Sequence, residues 1–472
     1  MQTKKILIGG AWRAASESFA VNNPYSNEQL AEVFSANEDE LEDAIAAAEQ
    51  AAKEMRGLSR FEIAKGLRRM ADGVEKRKTE FAETIAREAA KPLKSAFGEV
   101  TRGVATFAWA AGEAERFAGE VVPVDTIATG KGKTALTKHI PRGVIYGVTP
   151  FNFPLNLVGH KVAPALASRN AIIIKPSQRT PLTSLLLGEV FLESGLPKSA
   201  LQIVPMDIKY IDSVYTDERI KMISFTGSAE VGWNLKAKAN KKMVTLELGG
   251  NAPVIVDESA DFERSLKQTT MGAFAYAGQV CISVQRVYVH EKIYDEWTHK
   301  FVENAKNLKK GNPLDEATEL SAMITEEAAQ KAQSWVREAA DNGAKILCGN
   351  ARTGALLDAT VLTETNAEMR VVSEEIFAPV AAVEKFADFA EAIDAANHTK
   401  YGLQAGVFTN DLRNMQYAAD NLEYGGVIVN DAPTFRVENM PYGGAKDSGF
   451  GREGVRYAME EMSEIRLIVL NS

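Results

Sequence analysis

The chain is 472 residues long, 45% hydrophobic and 25% charged, with a formal net charge of −9. That length predicts two or three domains, and the acidic balance disfavours nonspecific binding to nucleic acid or to anionic membranes. Two cysteines, Cys281 and Cys348, exclude a disulfide framework, and the N-terminal apolar run is too short for a secretory signal, so a cytoplasmic protein with no metal centre is expected.

Residues 35–120 read as helical. Ser35 and Glu38 have the spacing of a capping box, and Leu41, Ala44, Ile45 and Ala48 keep one face of the following helix apolar. Ile63, Leu67, Met70 and Val74 mark a second helix. The polar stretch 126–137 is either a surface loop or a hairpin that reaches a neighbouring subunit. From about 143 short β-branched runs alternate with helical segments. Strands are expected at Val144–Val148, Ala171–Ile174, Leu201–Val204, Met222–Phe225 and Val244–Leu248, with helices near 158–168, 181–194 and 228–240. Further strands are expected near 252–256, 284–289, 361–363, 379–384, 405–408 and 427–429. This alternation predicts an α/β fold with βαβ crossovers around buried parallel sheets.

Two segments carry the chemistry: Leu246-Glu247-Leu248-Gly249-Gly250 and Gly278-Gln279-Val280-Cys281. A thiol that attacks a carbonyl and a carboxylate that activates water are the groups needed to oxidise an aldehyde through a thioester. Cys348 fits a small buried hydrophobe, as most lone cysteines do, whereas Cys281 follows residues that let backbone approach a ligand. Glu247 ends an apolar strand, where a carboxylate is either half of a structural ion pair or a general base. Asn152, in a turn stiffened by Pro150 and Pro154, either satisfies its own turn or offers an amide to a developing oxyanion. Strand Ile172–Ile174 ends in Lys175-Pro176-Ser177-Gln178, a cation and a hydroxyl at the carboxyl end of a strand. Phe225-Thr226-Gly227-Ser228 leads through Gly232 into a helix with Walker-like glycine spacing. It continues Trp233-Asn234 rather than Lys-Ser/Thr, so nucleoside triphosphates are disfavoured, while a pyrophosphate on the helix start is allowed.

Together the ordered motifs resemble the aldehyde dehydrogenase superfamily. They are TPFNFP (149–154), IIKP (173–176), FTGSAEVG (225–232), LELGG (246–250), GQVC (278–281), EEIFAPV (374–380) and PYGGAKDSGFGREG (441–454). The resemblance implies a Rossmann-like cofactor domain (1–118 and 139–248), an α/β catalytic domain (249–454), and a small β bridging element (119–138 and 455–472) that makes a homodimer or homotetramer. It implies Cys281 as nucleophile, Glu247 as general base and Asn152 in the oxyanion hole with the Cys281 amide. Cofactor contacts are implied for Pro150, Phe151, Lys175, Ser177, Gln178, Gly227, Ser228, Gly232, Leu248, Glu375 and Phe377.

Two departures stand out. Phe151 replaces a frequent Trp, which changes packing. Gln178 replaces the Glu with which NAD-preferring members hold the ribose hydroxyls. Removing one like charge at about 4 Å is worth up to roughly 4 kcal/mol at an effective dielectric near 20. NADP is therefore expected to be accepted, even preferred, beside NAD, with Lys175, Ser177 and Arg179 near its phosphate.

The runs Cys281–Arg286, Asn156–Lys161 and Phe435–Met440 resemble the subgroup of lactaldehyde, nonphosphorylating glyceraldehyde-phosphate and phosphonoacetaldehyde dehydrogenases. That implies a small hydroxy- or anion-bearing aldehyde oxidised to its acid, with Arg436, Arg102 and His160 facing the polar group. Against this, Arg436 also suits an ion pair at a surface or between subunits, His160 a satisfied core histidine, and Arg102 a solvated helix face. Val280 brings no positive charge beside the nucleophile. Rival readings are a succinate-semialdehyde or broad-range aldehyde dehydrogenase, a non-catalytic structural protein on the same fold, and a cysteine hydrolase. No histidine lies in a recognisable dyad motif for the last.

Overall fold

The computed structural model describes residues 3–471. Its first sheet has eight strands, in the order Ala11–Arg13, Ile6–Ile8, Leu201–Ile203, Ala171–Lys175, Val144–Val148, Ile220–Thr226, Met243–Glu247 and Gly449–Phe450. The five central strands run parallel, and the outer pairings are antiparallel. Ile172, Ile173 and Ile174 are wholly buried, as expected of a parallel strand covered on both faces. Chain order reverses between Val144–Val148 and Ile220–Thr226. That switch point opens a crevice at the strands' carboxyl ends, which is where ligands bind in such sheets.

The second sheet has seven strands: Lys345–Cys348, Thr360–Thr363, Val380–Phe386, Val284–His290, Ala252–Val256, Gln404–Phe408 and Gly426–Val429. Only its Lys345–Cys348 edge pairs antiparallel. One apolar core surrounds the first sheet, and two separate apolar clusters pack on the second.

Four helices fill the early region: Glu38–Gly57, Arg60–Lys76, Lys78–Ala89 and Leu93–Arg116. The capping box lies two residues later than expected, on Asn37 and Glu40. Asn37 Oδ1 accepts from the Asp39 and Glu40 amides at 2.8 and 3.2 Å, and Glu40 accepts from the Asn37 amide at 2.9 Å. Ser35 instead closes the strand Gln29–Ser35, which pairs with Glu17–Asn22. These N-terminal strands lie outside the sequence expectation.

The stretch 126–137 resolves into a short turn and the start of the strand Lys133–Pro141. That strand pairs with Val121–Val122 on one side and Ser463–Asn471 on the other. Ile465, Leu467, Val469 and Leu470 on the last strand are exposed. The helix Val455–Glu461, expected with the bridging element, packs Val455 and Met459, and Met462 just after it, into the core of the first sheet. No helix among the described residues is long and apolar enough to cross a membrane.

Candidate active site

The Cys281 loop follows the helix Phe262–Phe274 and turns through consecutive left-handed residues Tyr276, Ala277 and Gly278, with φ of 50°, 51° and 66°. A β-carbon on Gly278 would lie 2.1 Å from the Ala378 carbonyl oxygen, so only glycine fits. The same test on Gly250 puts a β-carbon 2.4 Å from the Cys281 carbonyl oxygen. The Glu247 and Cys281 motifs, 34 residues apart in sequence, thus touch backbone to backbone.

Glu247 ends its strand 5% exposed, and its Oε2 has no hydrogen-bond partner among the described residues. Burial and the nearby Glu453 carboxylate push its proton affinity well above the ordinary carboxyl range, against the pull of Arg436, Lys161 and Arg452. The Cys281 thiol is raised by burial to about 11, and the carboxylates of Glu375 and Glu247 add to the shift. Tyr442 Oη, 3.1 Å from Sγ, and Arg436 oppose it. Asn152 is buried; its Nδ2 donates to the Gln279 carbonyl at 2.9 Å, while Oδ1 is unpartnered among the described residues.

A cavity of about 330 Å³ opens beside Cys281. Pro150, Phe151 and Asn152 line it from one side of the switch point, and Thr226, Gly227 and Ser228 from the other. Leu248, Gly249, Glu375, Ile376 and Phe377 add to the wall, as do Met323 and Lys331, which the sequence did not single out. Phe151 and Phe377 meet edge to face at 6.0 Å. Burial raises Glu375 to about 7 against the pull of the Gly250 amide, which donates to its Oε1 at 3.0 Å.

These residues suit a dinucleotide. The helix Ala229–Lys238 starts at Ser228 without a side-chain cap, which leaves amide donors at its positive end free for a pyrophosphate. The Thr226 hydroxyl is buried without a partner among the described residues. A β-carbon on Gly249 would stand 2.1 Å from Glu375 Oε2, so glycine there keeps the carboxylate at the wall.

Other expected contacts lie elsewhere. Lys175 ends its strand one sheet position away, its affinity for protons lowered by burial against the pull of Asp207. Ser177 accepts from the Arg179 amide at 3.2 Å, as in a local turn. Gln178 and Arg179 line a separate groove of about 460 Å³, shared with residues 20–27 and Glu327. Gly232 does not line the cavity: a β-carbon there would lie 2.4 Å from Leu248 Cδ2, so this glycine lets its helix close on the sheet.

Arg102, His160 and Arg436 converge, but as members of a buried charge network. Arg102 Nε donates to Glu438 Oε1 at 2.7 Å, and His160 Nε2 lies 2.5 Å from Glu438 Oε2. Arg436 Nη2 donates to His160 Nδ1 at 3.1 Å and Glu453 Oε2 at 3.0 Å, and Lys161 Nζ reaches Glu453 Oε1 at 3.2 Å. Both Arg436 contacts hold when the His160 proton sits on Nε2. Arg102 is not merely a solvated cation, since its Nη2 is buried and, among the described residues, unpartnered. Glu438, Glu453, Lys161 and Tyr442 escaped the sequence reading, because nothing local announces a partner hundreds of residues away.

The profile of the aldehyde dehydrogenase family matches residues 12–468. The 3-sulfolactaldehyde dehydrogenase of Priestia aryabhattai is 42% identical over 467 residues, covering 99% of this chain and 98% of the relative. The lactaldehyde dehydrogenase of Methanocaldococcus jannaschii is 40% identical over 478 residues, covering 99% and 100%. Among solved structures, aldehyde dehydrogenase 21 from Physcomitrella patens, in complex with its reaction product succinate, superposes with a TM-score of 0.98 at 43% identity, covering 100% of this chain and 98% of that one. Glyceraldehyde-3-phosphate dehydrogenase GapN from Methanocaldococcus jannaschii, complexed with NADP, gives a TM-score of 0.93 at 38% identity, covering 97% and 100%. The chain belongs to the aldehyde dehydrogenase family, oxidoreductases that act on aldehydes with NAD or NADP.

Proposed function

We propose that this enzyme oxidises a small aldehyde carrying a hydroxyl or anionic group to its carboxylic acid, through a thioester on Cys281. The observation that carries the reading is that Cys281 and Asn152 line one cavity, while Glu247, buried at the end of the strand beside it with a carboxylate oxygen unpartnered among the described residues, is close enough to act on the Cys281 thiol. The Cys281 thiol gives up its proton to solvent, and the sulfur anion attacks the carbonyl carbon. The second Asn152 amide hydrogen and the Cys281 N–H hold the oxyanion. NAD or NADP, when bound, supplies the hydride acceptor. Glu247 then draws a proton from water, which adds to the thioester carbonyl, and the acid leaves as sulfur regains its proton.

Ser228 and the amides after it would hold the pyrophosphate, Glu375 the nicotinamide ribose, and Phe151 and Phe377 the walls around the ring. Lys175, Ser177 and the neutral Gln178 would receive the adenosine end, where lack of a carboxylate admits a 2′-phosphate. The residues around the first sheet would form the cofactor domain and those around the second the catalytic domain. The exposed apolar strand Ser463–Asn471 would join subunits, and the enzyme would work in the cytoplasm.

For the substrate, the relatives named for lactaldehyde and sulfolactaldehyde support a short chain with a polar group; Arg436, which acts on the Cys281 thiol, and Lys331, on the cavity wall, are cations at hand, with Arg102 Nη2 a further candidate. A succinate-semialdehyde reading draws on the moss protein's bound succinate. Absorbance-monitored reduction of NADP and NAD against lactaldehyde, glyceraldehyde 3-phosphate, sulfolactaldehyde and succinate semialdehyde separates them. The highest kcat/KM should fall on one of the first three. A preference for succinate semialdehyde, or for long uncharged aldehydes, overturns the substrate assignment.

A further inference from the structure

Beside the nucleophile stands a group the mechanism above does not use. Tyr442 Oη lies 3.1 Å from Cys281 Sγ, and Arg436 Cζ lies 3.6 Å from the centroid of the Tyr442 ring. Tyr442 is 4% exposed, and the Arg436 side chain 7%. We infer that Tyr442 is a catalytic residue: its hydroxyl donates a hydrogen bond to the Cys281 thiolate, and Arg436, packed on the ring face, is the positioning residue that holds it there. The inference rests on the reading of Cys281 as nucleophile.

The hydroxyl serves both states of the sulfur. While Cys281 is a thiol, S–H donates to Oη. Once that proton has left, the hydroxyl hydrogen rotates and donates to the sulfur anion, a charge-assisted bond stronger than the one it replaces. Burial holds the phenol's own proton in place, so Tyr442 acts as a donor and not as a base.

The thiolate needs this help. Glu247 and Glu375 oppose it by charge, burial opposes it by desolvation, and Arg436 is the cation that favours it. The guanidinium over the ring face is attracted to the π electrons, and in a dry site that attraction is little screened. Glu453 and His160 fix its position at 3.0 and 3.1 Å, so the ring packs against a rigid plate. A phenylalanine at 442 would keep the ring, the packing and the stacked arginine, and lose only the donor.

The test is the pH dependence of Cys281 alkylation by iodoacetamide in the cofactor-free enzyme, followed by peptide mass so that Cys348 is counted separately. In Tyr442→Phe the midpoint should move up by about one pH unit, and alkylation at pH 8 should slow about tenfold. Arg436→Met should move it the same way, and Arg436→Lys, which restores charge without the flat stack, should recover part of the shift. An unchanged midpoint in Tyr442→Phe overturns the inference. A shift in Arg436→Met without one in Tyr442→Phe also overturns it, because charge alone would then be acting. No aldehyde enters this measurement, so its failure is distinct from failure of the proposed reaction, which Cys281→Ser turnover reports.

Discussion

Gly250 and Cys281 are in backbone contact, with room for a hydrogen but not a methyl: a β-carbon on Gly250 would stand 2.4 Å from the Cys281 carbonyl oxygen. The contact fixes where the cysteine loop sits relative to the strand that ends in Glu247. Gly250→Ala must push the loop away. The expected cost is about 1–3 kcal/mol of stability, with a larger fall in kcat than rise in KM. Thermal denaturation and steady-state kinetics check this, and parent-like kcat would mean the loop does not depend on the contact.

Glu247→Gln keeps the size of the side chain and removes the base. In rapid mixing with saturating aldehyde, the variant should still show a burst of reduced cofactor, with steady turnover lowered by about 10²–10⁴-fold. Loss of the burst together with turnover would place the essential work of Glu247 before acylation.

Much of the site was legible because its motifs are local. The turn holding Asn152, the strand ending in Glu247 and the loop holding Cys281 each announce themselves by glycines, prolines and an apolar run. The buried network did not, since Lys161 and Glu453 are 292 residues apart and each alone looks like an ordinary surface charge. A glycine for helix packing and a glycine for phosphate approach look alike in sequence; the packing use of Gly232 shows only in the 2.4 Å that would separate a β-carbon there from Leu248. At the N-terminus Ile6–Ile8 is too short to show a period, and Ser35 and Asn37 both have a Glu three residues on. The paired strand running through Ser35 decides between them.

Lys91 is 1% exposed, ion-paired with Glu99, and lies over the rings of Phe153 and Tyr276 at 3.6 and 4.4 Å. Phe153 follows Asn152, and Tyr276 begins the left-handed turn, so this cation ties the oxyanion turn to the cysteine loop. Lys91→Met leaves the Glu99 charge buried and should cost about 3–5 kcal/mol. Adding Glu99→Gln should restore part of that loss in chemical denaturation. Single and double variants of equal stability would show the pair is not coupled.

Glu375 gives stability a pH dependence of defined sign. Its carboxyl is raised from 4.5 to about 7 by burial. Between those values the unfolded chain has released a proton that the folded chain keeps, so stability falls as pH rises through the window. The contribution is at most about 3 kcal/mol. Glu375→Gln should therefore gain thermal stability over the parent at pH 8 and lose that advantage near pH 4.5, while binding NADP more weakly at pH 8. An advantage that is the same at both pH values would contradict the assignment.

The central claim, a sulfur acylated in the course of oxidation, is tested most directly by intact-mass analysis of Glu247→Gln quenched in acid during turnover. The account predicts a mass increase equal to the acyl group, located on the peptide containing Cys281 and absent when Cys281→Ser is added. No adduct during the burst, or a Cys281→Ser enzyme that oxidises its aldehyde at the parent rate, would contradict it.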